Sequence, residues 1–156
     1  MRLRIIAIGR LRNGPEKDLI EDYIARFNRT GRLFGLGPAE LIDLEDKKSG
    51  GKAAEGALLL KAIPASAVVI ALDEHGEMQT STDFAQTLAR VRDQAPAELI
   101  FLIGGADGLA TEVLARSDAS LSFGKMVWPH MLARVMLTEQ LYRAASILSG
   151  GPYHRV

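Results

Sequence analysis

The chain has 156 residues, 47% of them apolar and 24% charged, the make-up of an ordinary globular protein and not of a disordered or fibrous one. It contains no cysteine, which excludes disulfides and thiolate metal sites and suits a cytoplasmic protein. Arg and Lys balance Asp and Glu at 19 each, but unevenly: residues 1–34 carry eight cations against four anions, residues 120–156 four against one, and the stretch between seven against fourteen.

Two basic ends of this kind either meet on one basic face or are solvated separately. The length fits one domain over residues 1–156. No apolar run is long enough to cross a membrane; Ile5 to Ile8, between arginines, reads as part of a first strand and not as a signal peptide.

Leu3 to Ile8 is aliphatic and half β-branched, a strand pattern. Pro15 to Thr30 reads as a helix, with Pro15 in its first turn and Leu19, Ile20, Tyr23, Ile24 and Phe27 as its apolar stripe. Ala39 to Leu44 is a second strand, Glu45 to Lys52 a polar glycine-bearing loop, and Ala53 to Ala62 a short helix ending before Pro64. Ala67 to Leu72 is a buried strand and Asp73 to Thr80 a loop. Asp83 to Gln94 is an amphipathic helix capped by Ser81 or Thr82. Leu99 to Ile103 is a fourth strand, followed by GGADG and a helix from Leu109 to Arg116. Ser120 to Phe123 is a fifth strand, Gly124 to Pro129 a loop, and Met131 to Leu148 the longest helix, before the tail SGGPYHRV.

Strands apolar on both faces that alternate with helices specify an open, mainly parallel α/β sheet with helices on both faces. Ligands of such sheets bind beyond the carboxyl ends of the strands. Three loops occupy that edge: Asp73 to Gly76, Gly104 to Gly108, and Gly124 to Pro129.

Each chemical motif has a bland alternative beside it. The glycines of LIGGADG let a backbone approach a ligand, or merely make a tight strand–helix turn. The segment matches neither GxGxxG nor a phosphate loop ending in GK[ST]. FGKMVWPH offers unpaired main-chain groups to a planar heterocycle, and Trp128 is either a platform there or core. Glu139 and Arg143 stand i, i+4 and suit a surface ion pair. The last helix is apolar nearly all round, which buries it and points to a partner subunit against its outer side. The tail is either frayed or a set of stacking, titrating and phosphate-binding groups. The three histidines show no metal-ligand spacing.

LIGGADG at 102–108, LSFGKMVWPH at 121–130, RVMLTEQLYRA at 134–144 and PYHR at 152–155 together resemble one bacterial family. It is the ribosomal RNA large subunit methyltransferase H family of the SPOUT (α/β-knot) superfamily; Gly9 and ALDEHG at 71–76 extend the resemblance to the whole chain. The resemblance implies a deep C-terminal trefoil knot, a homodimer, and transfer of a methyl group from S-adenosylmethionine to N3 of a pseudouridine in helix 69 of 23S ribosomal RNA on the assembled ribosome. S-adenosylhomocysteine is the product, and no metal is needed. It implies cofactor contacts at Leu72, at Gly104 and Gly105, and at Phe123, Gly124, Lys125, Met126, Val127 and Trp128. The catalytic assignments are His154, Tyr153 and Arg155, with His130 and Arg143 as alternates and His130 open to a purely structural role. A non-catalytic RNA-binding dimer of the same fold is the competing reading.

Overall fold

The computed structural model describes residues 1–155; Val156, the last residue of the tail, lies outside them. Five parallel strands form one sheet in the order β2-β1-β4-β3-β5. In chain order the elements are β1 (Arg2–Ile8), α1 (Pro15–Gly31), a single 3-10 turn (Arg32–Phe34), β2 (Ala39–Leu44), α2 (Gly51–Ala62), β3 (Val68–Met78), α3 (Ser81–Asp93), β4 (Glu98–Ile103), α4 (Thr111–Arg116), β5 (Ala119–Ser122) and α5 (His130–Leu148).

The period-2 alternation of each strand sends side chains into two cores. Leu3, Ile5, Phe101 and Ile103 face α1, α3 and α5, where Phe27, Leu88, Leu137 and Leu141 meet them. Ile6, Ile8, Ile100 and Leu102 face α2 and α4, against Leu59 and Val113. Both faces of β1 and β4 are therefore covered, as the runs RIIAI and LIFLI require.

Two expectations from sequence need correction. Asp73 to Thr80 is not a simple loop: β3 continues to Met78. Its register with β5 breaks there, since Leu72 and Glu77 both pair with Leu121, and Asp73 to Gly76 fall between. Gly76 makes this possible, because a Cβ there would stand 2.8 Å from the Leu121 backbone. The cap of α3 is Thr80, not Ser81 or Thr82; its hydroxyl accepts from the Asp83 amide at 3.1 Å and the Asp83 carboxylate reaches back, a capping box.

On α5 the buried face runs through Arg134, Leu137, Thr138, Leu141, Ala144 and Ala145. Leu132 on the same helix is 40% exposed, a few residues after exposed Met126, Val127 and Trp128 in the chain. Among the described residues no helix is long and apolar enough to cross a membrane.

Candidate functional site

All five strands point the same way, so the loops that follow them share one edge of the sheet. A cavity of about 300 Å³ opens there, between the ends of β3, β4 and β5. Its walls are Leu72 to Glu74, Ile103 to Gly108, Leu121 to Gly124, Met126 to Trp128, and His130 and Ala133 from the first turns of α5. The structure thus brings together Leu72, Gly104, Gly105, Phe123, Gly124, Met126, Val127 and Trp128. Lys125, exposed in the same loop, stands outside the lining.

The glycines are demanded by the loop itself. A Cβ on Gly104 would stand 2.7 Å from the Gly108 carbonyl oxygen, inside the turn closed by the Gly108 amide donating to Gly105 at 3.1 Å. A Cβ on Gly105 would stand 3.0 Å from both carboxylate oxygens of Glu55 on α2. The room beside Gly105 that sequence reserved for a ligand is therefore taken on one side by Glu55, while the other side faces the cavity.

The third loop is tied by Ser122. Its hydroxyl lies 3.1 Å from the Glu74 carbonyl and 3.2 Å from that of Gly124, and the Gly124 amide donates to it at 3.1 Å. Gly124 takes φ +111°, open to glycine at little cost. The Trp128 indole donates to the Phe123 carbonyl at 3.3 Å, which folds the segment over the cavity mouth. Trp128 is 42% exposed, so it belongs to this loop and not to the core.

Beneath the loops lies a charged group that sequence reading missed. Arg134 is completely buried and donates through Nη2 to the carbonyls of Ile8 at 2.6 Å and Gly9 at 2.8 Å, fixing the end of β1. Its Nε and Nη1, and Glu55 Oε2, are buried with no hydrogen-bond partner among the described residues. Burial pulls the guanidinium pKa down, with Asp43 opposing. His130 lines the cavity above it. Burial first, and Arg134 second, push the imidazole below its ordinary value, against a smaller opposing effect of Glu55. His130 is therefore a neutral ring at neutral pH. The signal for Arg134 was its spacing: position 134 continues the buried stripe of 137, 138 and 141.

The tail is pinned, not frayed. The Tyr153 hydroxyl donates to Glu139 at 3.0 Å, its ring packs on Tyr142 at 4.5 Å, and the Arg143 guanidinium lies 4.8 Å over it. Arg143 grips Glu139 through Nε and Nη2, so the pair expected on an open surface is half-buried. The Glu139 bond is the main reason the Arg143 pKa rises. Burial first, then hydrogen bonds to Tyr23 and Glu139, push the Tyr153 phenol well above its usual range, so it remains a donor. Arg143 Nη1 lies 3.3 Å from His154 Nδ1; arginine only donates, so Nδ1 accepts and Nε2 carries the ring hydrogen. Arg155 is exposed. None of Tyr153, His154 and Arg143 lines the cavity. Glu139 and Arg143 follow His130 by roughly 14 and 20 Å along the helix at 1.5 Å per residue.

Residues 1–154 match a family model described as "Predicted SPOUT methyltransferase". A relative from Dinoroseobacter shibae, named ribosomal RNA large subunit methyltransferase H, is 61% identical over 156 residues and covers 100% of both chains. One of the same name from Roseobacter denitrificans is 61% identical over 155 residues, 99% of each chain. Among solved structures, a probable methylase family protein from Haemophilus influenzae aligns with TM-score 0.50 at 15% identity, over 99% of this chain and 70% of that one, a likeness of fold.

Proposed function

The chain belongs to the SPOUT methyltransferase family, and on that premise we propose that it is an S-adenosylmethionine-dependent methyltransferase of ribosomal RNA. Its acceptor is N3 of a pseudouridine in helix 69 of 23S ribosomal RNA. The observation that carries the reading is the convergence of three strand-end loops on one cavity. Relatives that share this chain end to end and are named for large-subunit ribosomal RNA support the acceptor class.

The cavity suits the cofactor in chemistry as well as place. Leu72, Ile103, Leu121 and Phe123 give it apolar walls. The irregular backbone of 104–108 and 123–128 brings amides and carbonyls to its rim, the groups that read a planar heterocycle. S-adenosylmethionine would supply an electrophilic methyl group whose bond to sulfur breaks, its electron pair leaving with the thioether, as the base nitrogen takes the methyl. The N3–H of the base is a weakly acidic imide, so its proton must leave and the anion must be stabilised.

The tail carries the groups for that task. Arg143 and Arg155 offer positive charge to the imide anion and to phosphate, and Tyr153 a ring to stack and a hydroxyl to donate. His154 takes the proton at Nδ1 once that nitrogen leaves Arg143. Because the tail docks on α5 away from its own cavity, it serves the cavity of a second copy. Leu19, Met78, Trp128 and Leu132 are exposed apolar side chains, and that homodimer closes over them. The C-terminal trefoil knot is part of the same proposal.

The test is ligand selectivity of unfolding. S-adenosylhomocysteine at a hundred times its Kd adds about 2.7 kcal/mol, or roughly 5–11 °C in Tm for a chain of this size. NAD and ATP should add nothing. A protein indifferent to S-adenosylhomocysteine contradicts the proposal.

A further inference from the structure

Six exposed cations crowd the edge of the sheet that bears the cavity: Arg10 and Arg12 after β1, Lys47, Lys48 and Lys52 after β2, and Lys125 after β5. Among the described residues none of the six has a carboxylate within 4.0 Å, although Arg2, Arg4, Arg26, Arg92, Arg116 and Arg143 each do. The basic face is thus built differently from the sequence expectation. It draws three lysines from the acidic middle of the chain, while Arg2 and Arg4 of the basic N-terminal stretch are neutralised by Glu40 and Glu98.

The opposite edge also holds unpaired cations, but there they have a local reason. Arg29, Lys61 and Arg90 stand in the last turns of α1, α2 and α3, where the helix dipole favours positive charge. At the cavity edge the dipole has the wrong sign. Lys52 lies in the first turn of α2, with Lys47 and Lys48 just before it. That helix has neither an acidic residue in its first turn nor a side-chain cap. The same holds for α5, which follows Lys125. Like charges gathered at helix N-termini lack an internal partner and call for an anionic one.

The nearby carboxylates are engaged in shaping the loops. Asp43 accepts the Leu11 amide at 2.6 Å, and Asp46 accepts those of Lys48 at 3.1 Å and Gly50 at 2.5 Å. Exposed Asp18, Glu45, Glu74, Asp107 and Glu112 share this edge, but among the described residues none of them comes within 4.0 Å of the six cations. β1 is the neighbour of β4, whose loop walls the cavity, and β2 lies one strand further, about 10 Å from β4. A strand of RNA that presents one base to the cavity would pass its adjoining phosphates over these loops.

We infer that the loops after β1 and β2 form a cationic rim that holds the phosphates of the RNA substrate beside the cavity. The inference rests on the rRNA methyltransferase reading and adds a docking surface to it. The rim uses phosphate contacts, so it sets affinity and salt dependence without choosing the base.

The test compares wild type, R10A/R12A, K47A/K48A/K52A and the opposite-edge control R29A/K61A/R90A. Each is bound to large ribosomal subunits that lack the modification, across a salt series. Each lost phosphate contact lowers the slope of log affinity against log salt by about 0.7–0.9. R10A/R12A should therefore be shallower by about 1.4–1.8, and the triple lysine variant by about 2.1–2.7. KM for the subunits should rise in both rim variants, with S-adenosylhomocysteine affinity at the wild-type value as proof of folding. The control should bind as wild type does. Unchanged slopes in the rim variants, or equal weakening by the control, overturn the rim. A wild-type protein that does not methylate the subunits overturns the functional reading instead.

Discussion

Deleting residues 153–156 tests the division between cofactor loops and tail. The docked tail has three identifiable contacts. The Tyr153 hydroxyl on a charged carboxylate contributes about 1.5–3 kcal/mol, the ring pair with Tyr142 about 0.5–1.5, and Arg143 over the ring about 0.5–1. Together they amount to about 2.5–5.5 kcal/mol. Ordering the backbone of the three described tail residues opposes them by about 3–6 kcal/mol. The two sides nearly cancel, so docking is close to neutral and the tail is free to exchange Glu139 for RNA. Deletion should therefore move Tm by no more than about 4 °C, the equivalent of about 1 kcal/mol in a chain of this size. S-adenosylhomocysteine affinity by calorimetry should be unchanged, and methylation of unmodified large subunits should be lost. Full turnover by the truncated protein would refute the role of His154 and direct attention to His130. Loss of cofactor affinity would show that the tail closes the cavity and that the two roles are not separate.

Gly105→Val places its Cβ 3.0 Å from both Glu55 carboxylate oxygens, so Glu55 or the loop must give by a few tenths of an ångström. S-adenosylhomocysteine binding should disappear while the circular dichroism spectrum is kept, and intact affinity would refute the placement of the site. The wild-type protein should sediment as a dimer at micromolar concentration and Leu132→Glu as a monomer; a wild-type monomer would leave the exposed flank of α5 unexplained. His130 is depressed by burial, so below an unfolded pKa of about 6.5 the unfolded chain binds more protons than the folded one. Urea midpoints should fall as pH is lowered below that value, and fall less in His130→Asn; equal pH dependence in the two proteins would contradict the depressed imidazole.

Alternation and turn residues made the core strands and the three loop positions legible, because strands covered on both faces leave nearly pure aliphatic runs. The second half of β3 was hidden for the opposite reason. DEHGEM pairs only with β5 and is mostly exposed, so its composition is that of a loop, and only Gly76 hints at the close backbone approach. The α3 cap was one residue upstream of the expected Ser81, and the T-x-x-D spacing of Thr80 and Asp83 marks it. Arg134 was invisible as a buried group because an arginine is rarely buried without a carboxylate; here backbone carbonyls at the end of β1 receive it, a contact 125–126 residues away in sequence. The tail residues were identified, but their docking on Glu139 and Arg143, away from the cavity of the same chain, required the fold.

The central claim is tested most directly by incubating the purified protein with S-adenosylmethionine and ribosomes that lack the modification, then mapping the 23S ribosomal RNA by mass spectrometry. One added methyl group is expected, on N3 of a pseudouridine in helix 69. Recovery of unmethylated RNA, or of a methyl group on another nucleotide, would contradict it.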